Sequence, residues 1–324
     1  MRLATIENNT RDGQLIVVSG DNLRGVAATG IASNLLDALD RWGAVEPELV
    51  KLSESLEAGT AAGIFETASV TFLAPLPRSW QWLDGSAYDS HGELLQKVFK
   101  TDPAPTDRPL MYQGVSDTFY TATQDVPFPS EADGIDFEGE FGVIVDRVPM
   151  GTSADEAAKH IRLLVQINDW SLRAIVPIEL KTGFGWVQGK PPCSVAPVAV
   201  TPDELGASWR DGRIDLPLMV DWNEARFGAA NGYAMSWSFP QLVAHAARTR
   251  HLVAGTMIGS GTVSNSNFRE VGSSCIAERR GIELDDFGEM RTQFMRFGDR
   301  VRMEARTADD RPLFGAIEQK VVEA

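Results

Sequence analysis

The densest chemistry in this chain lies in Ile135-Asp136-Phe137-Glu138-Gly139-Glu140-Phe141, where acids alternate with apolar residues or glycine and no Lys or Arg intervenes. Alternate residues of a strand share a face, so Asp136, Glu138 and Glu140 point one way and Phe137, Gly139 and Phe141 the other. One reading is a strand with one buried and one wet face. The other follows from Val143-Ile144-Val145, which continues the segment as a buried run. Carboxylates held together in a partly buried place need a cation or raised pKa values. Two glutamates and a further aspartate suit a hard divalent ion such as Mg²⁺, Mn²⁺ or Ca²⁺, with water completing the shell. Asp169 offers the aspartate, in Asn168-Asp169-Trp170-Ser171-Leu172-Arg173 at the end of the apolar run 163–167. An Asn-Asp turn is the alternative there. Residues 181–192 set glycines, aromatics and Lys190 before an apolar strand, a composition that a surface loop with a solvated lysine shares. Residues 255–262 are glycine-rich but lack the Gly-Lys-Ser/Thr ending of a P-loop.

The elements that must position these groups are mostly strands. Residues 1–75 read as a small unit: strands at Arg2–Ile6 and Gln14–Val18 around an Asp12-Gly13 turn, helical spacing over 32–56 with a break near Gly43, and a short strand at 70–73. Pro75-Leu76-Pro77 reads as a linker. From 78 to 324, short β-rich runs at 137–145, 161–168, 195–200, 214–220, 256–260 and 300–306 alternate with Gly, Pro and Asp turns. Capping-box letters at Ser153/Glu156, Thr201/Glu204 and Ser238/Gln241 mark helix starts, the last opening a helix to about Arg248. The class is therefore mixed α+β, mostly β, and not the regular alternation of a Rossmann fold.

With 324 residues, 43% hydrophobic and 23% charged, the chain suits a globular protein with one large core or two unequal domains. No apolar run approaches the roughly 20 residues that span a bilayer. Residues 1–5 read as a strand start rather than a signal peptide. Cys193 and Cys275 build no disulfide framework, so a cytoplasmic location is expected. The net charge of −15 argues against nucleic acid and anionic membranes as partners. It suits solubility, or carboxylates gathered around a cation.

In their order, these pieces resemble the fumarylacetoacetate hydrolase (fumarylacetoacetase) family from about residue 78 to the C-terminus. Glu138-Gly139-Glu140 matches the family's Glu-x-Glu strand, residues 168–173 its Asn-Asp-Trp-Ser-x-Arg motif, Gly189-Lys190 its Gly-Lys pair, and Ser260-Gly261-Thr262-Val263-Ser264 its Ser-Gly-Thr-x-Ser loop. The upstream stretch resembles the fumarylacetoacetases, which place a metal-ligating aspartate seven residues before a catalytic histidine; Asp84 and His91 have that spacing. Tyr88-Asp89-Ser90-His91 also fits the Tyr-x-x-His stretch of shorter members, with Glu93 one position early for the accompanying glutamate. By resemblance, Lys100, Tyr112, Arg173 and Thr262 contact substrate, and Glu278 is the glutamate that pairs with the lysine. Val176 and Leu180 stand where fumarylacetoacetases carry a substrate-binding glutamine and tyrosine.

The resemblance implies a β-rich catalytic domain over 78–324 behind a small N-terminal β/α domain. It also implies a homodimer, and a divalent ion, Mg²⁺ first, held by Asp84, Glu138, Glu140 and Asp169. His91, helped by Glu93, would activate water, and Lys190 would stabilise the departing enolate. Arg173 and Lys100 would hold substrate carboxylates. The expected reaction is hydrolysis of a carbon–carbon bond in a small acidic diketo compound, fumarylacetoacetate or an acylpyruvate, as in the catabolism of tyrosine and other aromatics. A hydratase or oxaloacetate-type decarboxylase on the same fold, and a non-catalytic metal- or ligand-binding protein, stay open as alternatives.

Overall fold

The computed structural model describes residues 1–99 and 107–324, so Lys100 lies outside the described residues. Helices and strands are mixed as expected. Arg2–Ile6 and Gln14–Val18 pair antiparallel. The helical stretch divides at Arg41 into Leu35–Asp40 and Trp42–Glu57, the first capped by the Asn34 side chain accepting from the Asp37 amide. Segment 70–73 forms no regular strand: Phe72 alone bridges to Ile6, and the chain then turns away through Pro75.

The N-terminal pair does not stand apart. Arg2, Leu3 and Ala4 pair with Val200, Ala199 and Val198, which makes the pair part of one eleven-stranded sheet. From Arg2–Ile6 that sheet passes through Val198–Val200, Ile161–Asn168, Gly139–Val145, Met257–Gly259 and Trp82–Ser86 to an edge at Leu110–Gly114. Every residue of Gly139–Val145 is buried, which overturns the wet-face reading of this strand. Side chains alternate between two cores: Val143, Val145 and Leu164 pack with Leu218, Val220 and Met303 of a second, five-stranded sheet, while Ile144, Leu163 and Val165 pack with Leu3, Leu15 and Leu49.

This topology positions the acids. Met257–Gly259 lies between two acid-bearing strands, antiparallel to Gly139–Val145 and parallel to Trp82–Ser86, with Gly259 level with Gly142 on one side and Asp84 on the other. Ile167 is opposite Glu140, so the chain delivers Asp169 beside Glu140 as it leaves the sheet.

Candidate active site

Asp84, Glu140 and Asp169 converge, each buried and each offering a carboxylate oxygen within 4.8 Å of the others'. No N–H or hydroxyl donor serves either oxygen of Glu140, whose nearest polar company is the Asp84 carboxyl. Asp84 Oδ1 accepts from the Gly261 amide at 3.0 Å. Asp169 is better served: Tyr112 Oη and Lys190 Nζ each donate to Oδ2 at 2.6 Å, and Cys193 Sγ to Oδ1 at 2.9 Å. Burial, with Asp169 close by, pushes the Asp84 carboxyl up to about 8. Burial and then Asp84 hold Glu140 well above the usual carboxylate range. Three acids pressed together away from water, with Lys190 paired to Asp169 and no cation on Glu140, are a site that suits a hard divalent ion with oxygen ligands.

Glu138 borders this trio and is differently placed. Its Oε1 accepts from Ser171 Oγ at 2.8 Å, from Lys190 Nζ at 3.3 Å and from Arg173, and its Oε2 accepts from Thr262 Oγ1 at 2.6 Å. Burial opposes its charge, but Arg173 and Lys190 together outweigh burial and hold the carboxylate below its ordinary range. Arg173 is fixed from its other side by Asp136, Nε to Oδ2 at 2.8 Å. Asp136 is itself held by the Ile276 and Ala277 amides at the start of helix Ile276–Phe287. Burial disfavours the charges of Lys190 and Arg173, yet the carboxylates around each raise its pKa, so both are cations at neutral pH.

Above the acids lies a cavity of about 490 Å³, lined by Asp84, Glu138, Lys190, Arg173, Tyr112 and Thr262 at its charged end and by His91 on one wall. His91 belongs to helix Asp89–Phe99, and its Nδ1 stands 3.5 Å from Glu278 Oε1. The contact lacks hydrogen-bond geometry, and Glu278 Oε2 is also without a partner. Ser264 Oγ donates to Glu278 Oε1, and Ser90 and Ser264 hydroxyls lie 2.8 Å apart.

The model of the family described as Fumarylacetoacetate (FAA) hydrolase C-terminal matches residues 81–322. The chain belongs to the fumarylacetoacetate hydrolase family. A second model of this family, Fumarylacetoacetase N-terminal domain 2, matches residues 1–78. Among curated proteins the chain is similar to a 2,4-didehydro-3-deoxy-L-rhamnonate hydrolase of Sphingomonas sp. (strain SKA58), at 28% identity over 163 residues. That alignment spans 49% of this chain and 54% of the relative, about half of each. In fold the chain is similar to a maleylpyruvate hydrolase from Sphingobium sp. SYK-6, solved in complex with manganese (II) ion and pyruvate, at a TM-score of 0.68, 17% identity and 100% coverage of both chains. A fumarylacetoacetate hydrolase from psychrophilic Exiguobacterium antarcticum superposes at a TM-score of 0.69 with 16% identity, again over 100% of both chains.

Of the residues singled out from the sequence, the fumarylacetoacetate hydrolase fold gathers Asp84, His91, Tyr112, Glu138, Glu140, Asp169, Arg173, Lys190, Thr262 and Glu278 around this cavity. Glu93 is exposed, and the carboxylate that meets His91 is Glu278. Glu278 thus faces the histidine, while the ion pairs of Lys190 run to Asp169 and Glu138. The reason is helix packing: Gly281 lets helix Ile276–Phe287 approach Leu94 and Leu95 of the His91 helix closely. Sequence reasoning passed over Cys193, Ser171, Asp136 as an anchor, and Gly259. A Cβ at Gly259 would stand 2.5 Å from Asp84 Oδ1 and 2.8 Å from Glu140 Oε2, so glycine keeps the space between these carboxylates open.

Proposed function

We propose that this protein is a divalent-metal-dependent hydrolase that cleaves the carbon–carbon bond of a small acidic 1,3-diketo compound, fumarylacetoacetate or an acylpyruvate. The observation that carries the reading is one cavity lined by Asp84, Glu138, Lys190 and His91, with buried Glu140 and Asp169 converging on Asp84 and Glu278 facing His91. The relative that holds manganese and pyruvate supports it. The residues fit a metal: the oxygens of Glu140 are buried without donors, and Gly259 leaves the space beside them open. Asp84, Glu140 and Asp169 would hold the ion with Glu138 beside them, and Mg²⁺ or Mn²⁺ suits the all-oxygen set. Such an ion, when bound, supplies positive charge that polarises the dicarbonyl oxygens.

The protein's own groups account for the proton movements. The Glu278 carboxylate stands 3.5 Å from His91 Nδ1 and sets its charge on that side of the ring, leaving the other ring nitrogen to take a proton from water. The water oxygen adds to the carbonyl remote from the substrate carboxylate. The bond from that carbon to the central carbon then breaks; the acyl part leaves as a carboxylic acid. The other part leaves as an enolate, which Lys190 stabilises until its central carbon is protonated. Arg173, fixed by Asp136, keeps Glu138 in place and lends positive charge to the carboxylate end of the substrate. Assembly as a homodimer is part of the same proposal; light scattering at micromolar concentration checks it, and a monomer overturns it.

The test is a kcat/KM comparison of fumarylacetoacetate, fumarylpyruvate, acetylpyruvate and oxaloacetate with Mg²⁺, Mn²⁺ or EDTA. Cleavage of a diketo acid that EDTA abolishes is expected. His91→Ala should lower kcat by roughly 10²–10⁴-fold with metal affinity kept. Turnover of oxaloacetate with no diketone cleaved would replace hydrolysis by decarboxylation.

A further inference from the structure

The cavity over the acids has two unlike ends. Its floor carries Lys190, Arg173 and the carboxylates, whereas its mouth is formed by Leu95, Leu110, Met111, Val176, Leu180 and Trp186. Leu180 is 62% exposed, and Ile178 of the same short helix and Phe184 and Val187 of the segment after it are also exposed apolar residues. Large apolar side chains grouped at a cavity entrance mark a surface that a ligand covers.

Among the described residues lining the cavity, Lys190 and Arg173 are the fixed cations, and both are tied to floor carboxylates: Lys190 to Asp169 at 2.6 Å and Glu138 at 3.3 Å, Arg173 to Asp136 at 2.8 Å and to Glu138. His91 turns its Nδ1 to Glu278. The hydroxyls of Tyr112 and Thr262 donate to Asp169 and Glu138. The floor thus provides for one substrate carboxylate, that of the keto-acid end. A second carboxylate in the mouth would lose water and find no partner among these groups, a large cost.

We propose that the acyl end of the substrate is an apolar aryl or alkyl group without a second carboxylate, and that Leu95, Leu110, Met111, Val176, Leu180 and Trp186 select it. This rests on the diketo-acid reading above and narrows it to monocarboxylic acylpyruvates. Each methylene that the mouth buries strengthens binding about fourfold.

Binding and cleavage test this separately on the metal-loaded enzyme. By calorimetry, benzylpyruvate, which lacks the γ-keto group and is not cleaved, should bind at least tenfold more tightly than α-ketoadipate. Leu180→Arg, a substitution on the exposed rim, should tighten α-ketoadipate at least fivefold and weaken benzylpyruvate. Equal or reversed affinities in the parent enzyme overturn the inference. In turnover, benzoylpyruvate should exceed fumarylpyruvate in kcat/KM by at least tenfold. If both are cleaved with equal efficiency, the hydrolase reading stands and the apolar selection falls. If neither is cleaved while the binding order holds, the hydrolase reading falls and the apolar selection stands.

Discussion

Glu140 carries a carboxyl group whose two oxygens are buried and served by no N–H or hydroxyl donor. Burial and then Asp84 hold it well above the ordinary carboxylate range, which favours the neutral acid, and an amide is the near copy of that form in the metal-free protein. Glu140→Gln should therefore leave metal-free stability within about 1 kcal/mol in urea unfolding, while Mg²⁺ or Mn²⁺ affinity by calorimetry falls by more than about a hundredfold. Retained metal binding would remove Glu140 from the ligands. The Asp84 carboxyl makes the stability of the fold depend on pH. Its carboxyl is pushed up to about 8 in the fold, above its unfolded value, so its stabilising effect is complete below the unfolded pKa and is lost as pH rises through about 8. A metal displaces the proton and reverses this. The melting-temperature gap between metal-loaded protein and protein in EDTA should widen from pH 6 to pH 9; a constant gap contradicts the assignment. At this scale the sequence was uneven. Glu138 and Glu140 were legible because acids with no Lys or Arg between them run into an apolar stretch, and Asp169 because it closes the apolar run 163–167. Cys193 was not, because its thiol reaches Asp169 only after two strands pair across Ile167 and Val195.

The strand Met257–Gly259 spaces the strands bearing Asp84 and Glu140. A Cβ on Gly259 would also stand 2.3 Å from the Trp82 ring. Gly259→Ala should cost about 1–3 kcal/mol by overpacking and weaken metal binding with it; a variant that melts and binds like the parent would show that the strands have slack. The two helices that bring Glu278 to His91 carry a different prediction. Glu278→Gln should lower kcat more than it raises KM and displace the acidic limb of the kcat profile, with metal affinity retained; an unchanged pH profile would limit Glu278 to packing. Capping shows why elements were only partly legible. Ser238 and Gln241 close both bonds of their box. Thr201 offers the same letters, but its hydroxyl accepts from the Met1 amino group at 2.6 Å, and no side-chain cap forms. Glu156 likewise turns to Lys159 at 2.8 Å instead of back to the helix start. Local letters state what a segment can do; distant partners decide which bond is made.

Across the whole molecule, one sheet carries both the N-terminal strands and the acids, and one core joins Leu3, Leu15 and Leu49 to Ile144 and Leu163. Urea unfolding should thus be a single transition, with metal release coincident with loss of structure. Leu15→Ala, fully buried and far along the sheet from the acids, should lower the unfolding free energy read from that one transition by about 2–5 kcal/mol. Two resolved transitions would show that the units fold independently. A linker was read at Pro75-Leu76-Pro77 from the pattern of elements before it, whereas the shared sheet was not legible, because the Arg2–Ala4 pairing with Val198–Val200 joins positions nearly two hundred residues apart. The continuity has a consequence for anyone recombining these proteins. A chimera that takes residues 1–78 from a relative would keep every acid of the site, since all of them lie beyond that boundary. It would still inherit a mismatched seam, because the incoming strand must offer backbone register to Val198–Val200 and side chains shaped to Ile144 and Leu163. In this molecule the natural crossover point is set by a row of hydrogen bonds and not by the linker where the sequence changes character.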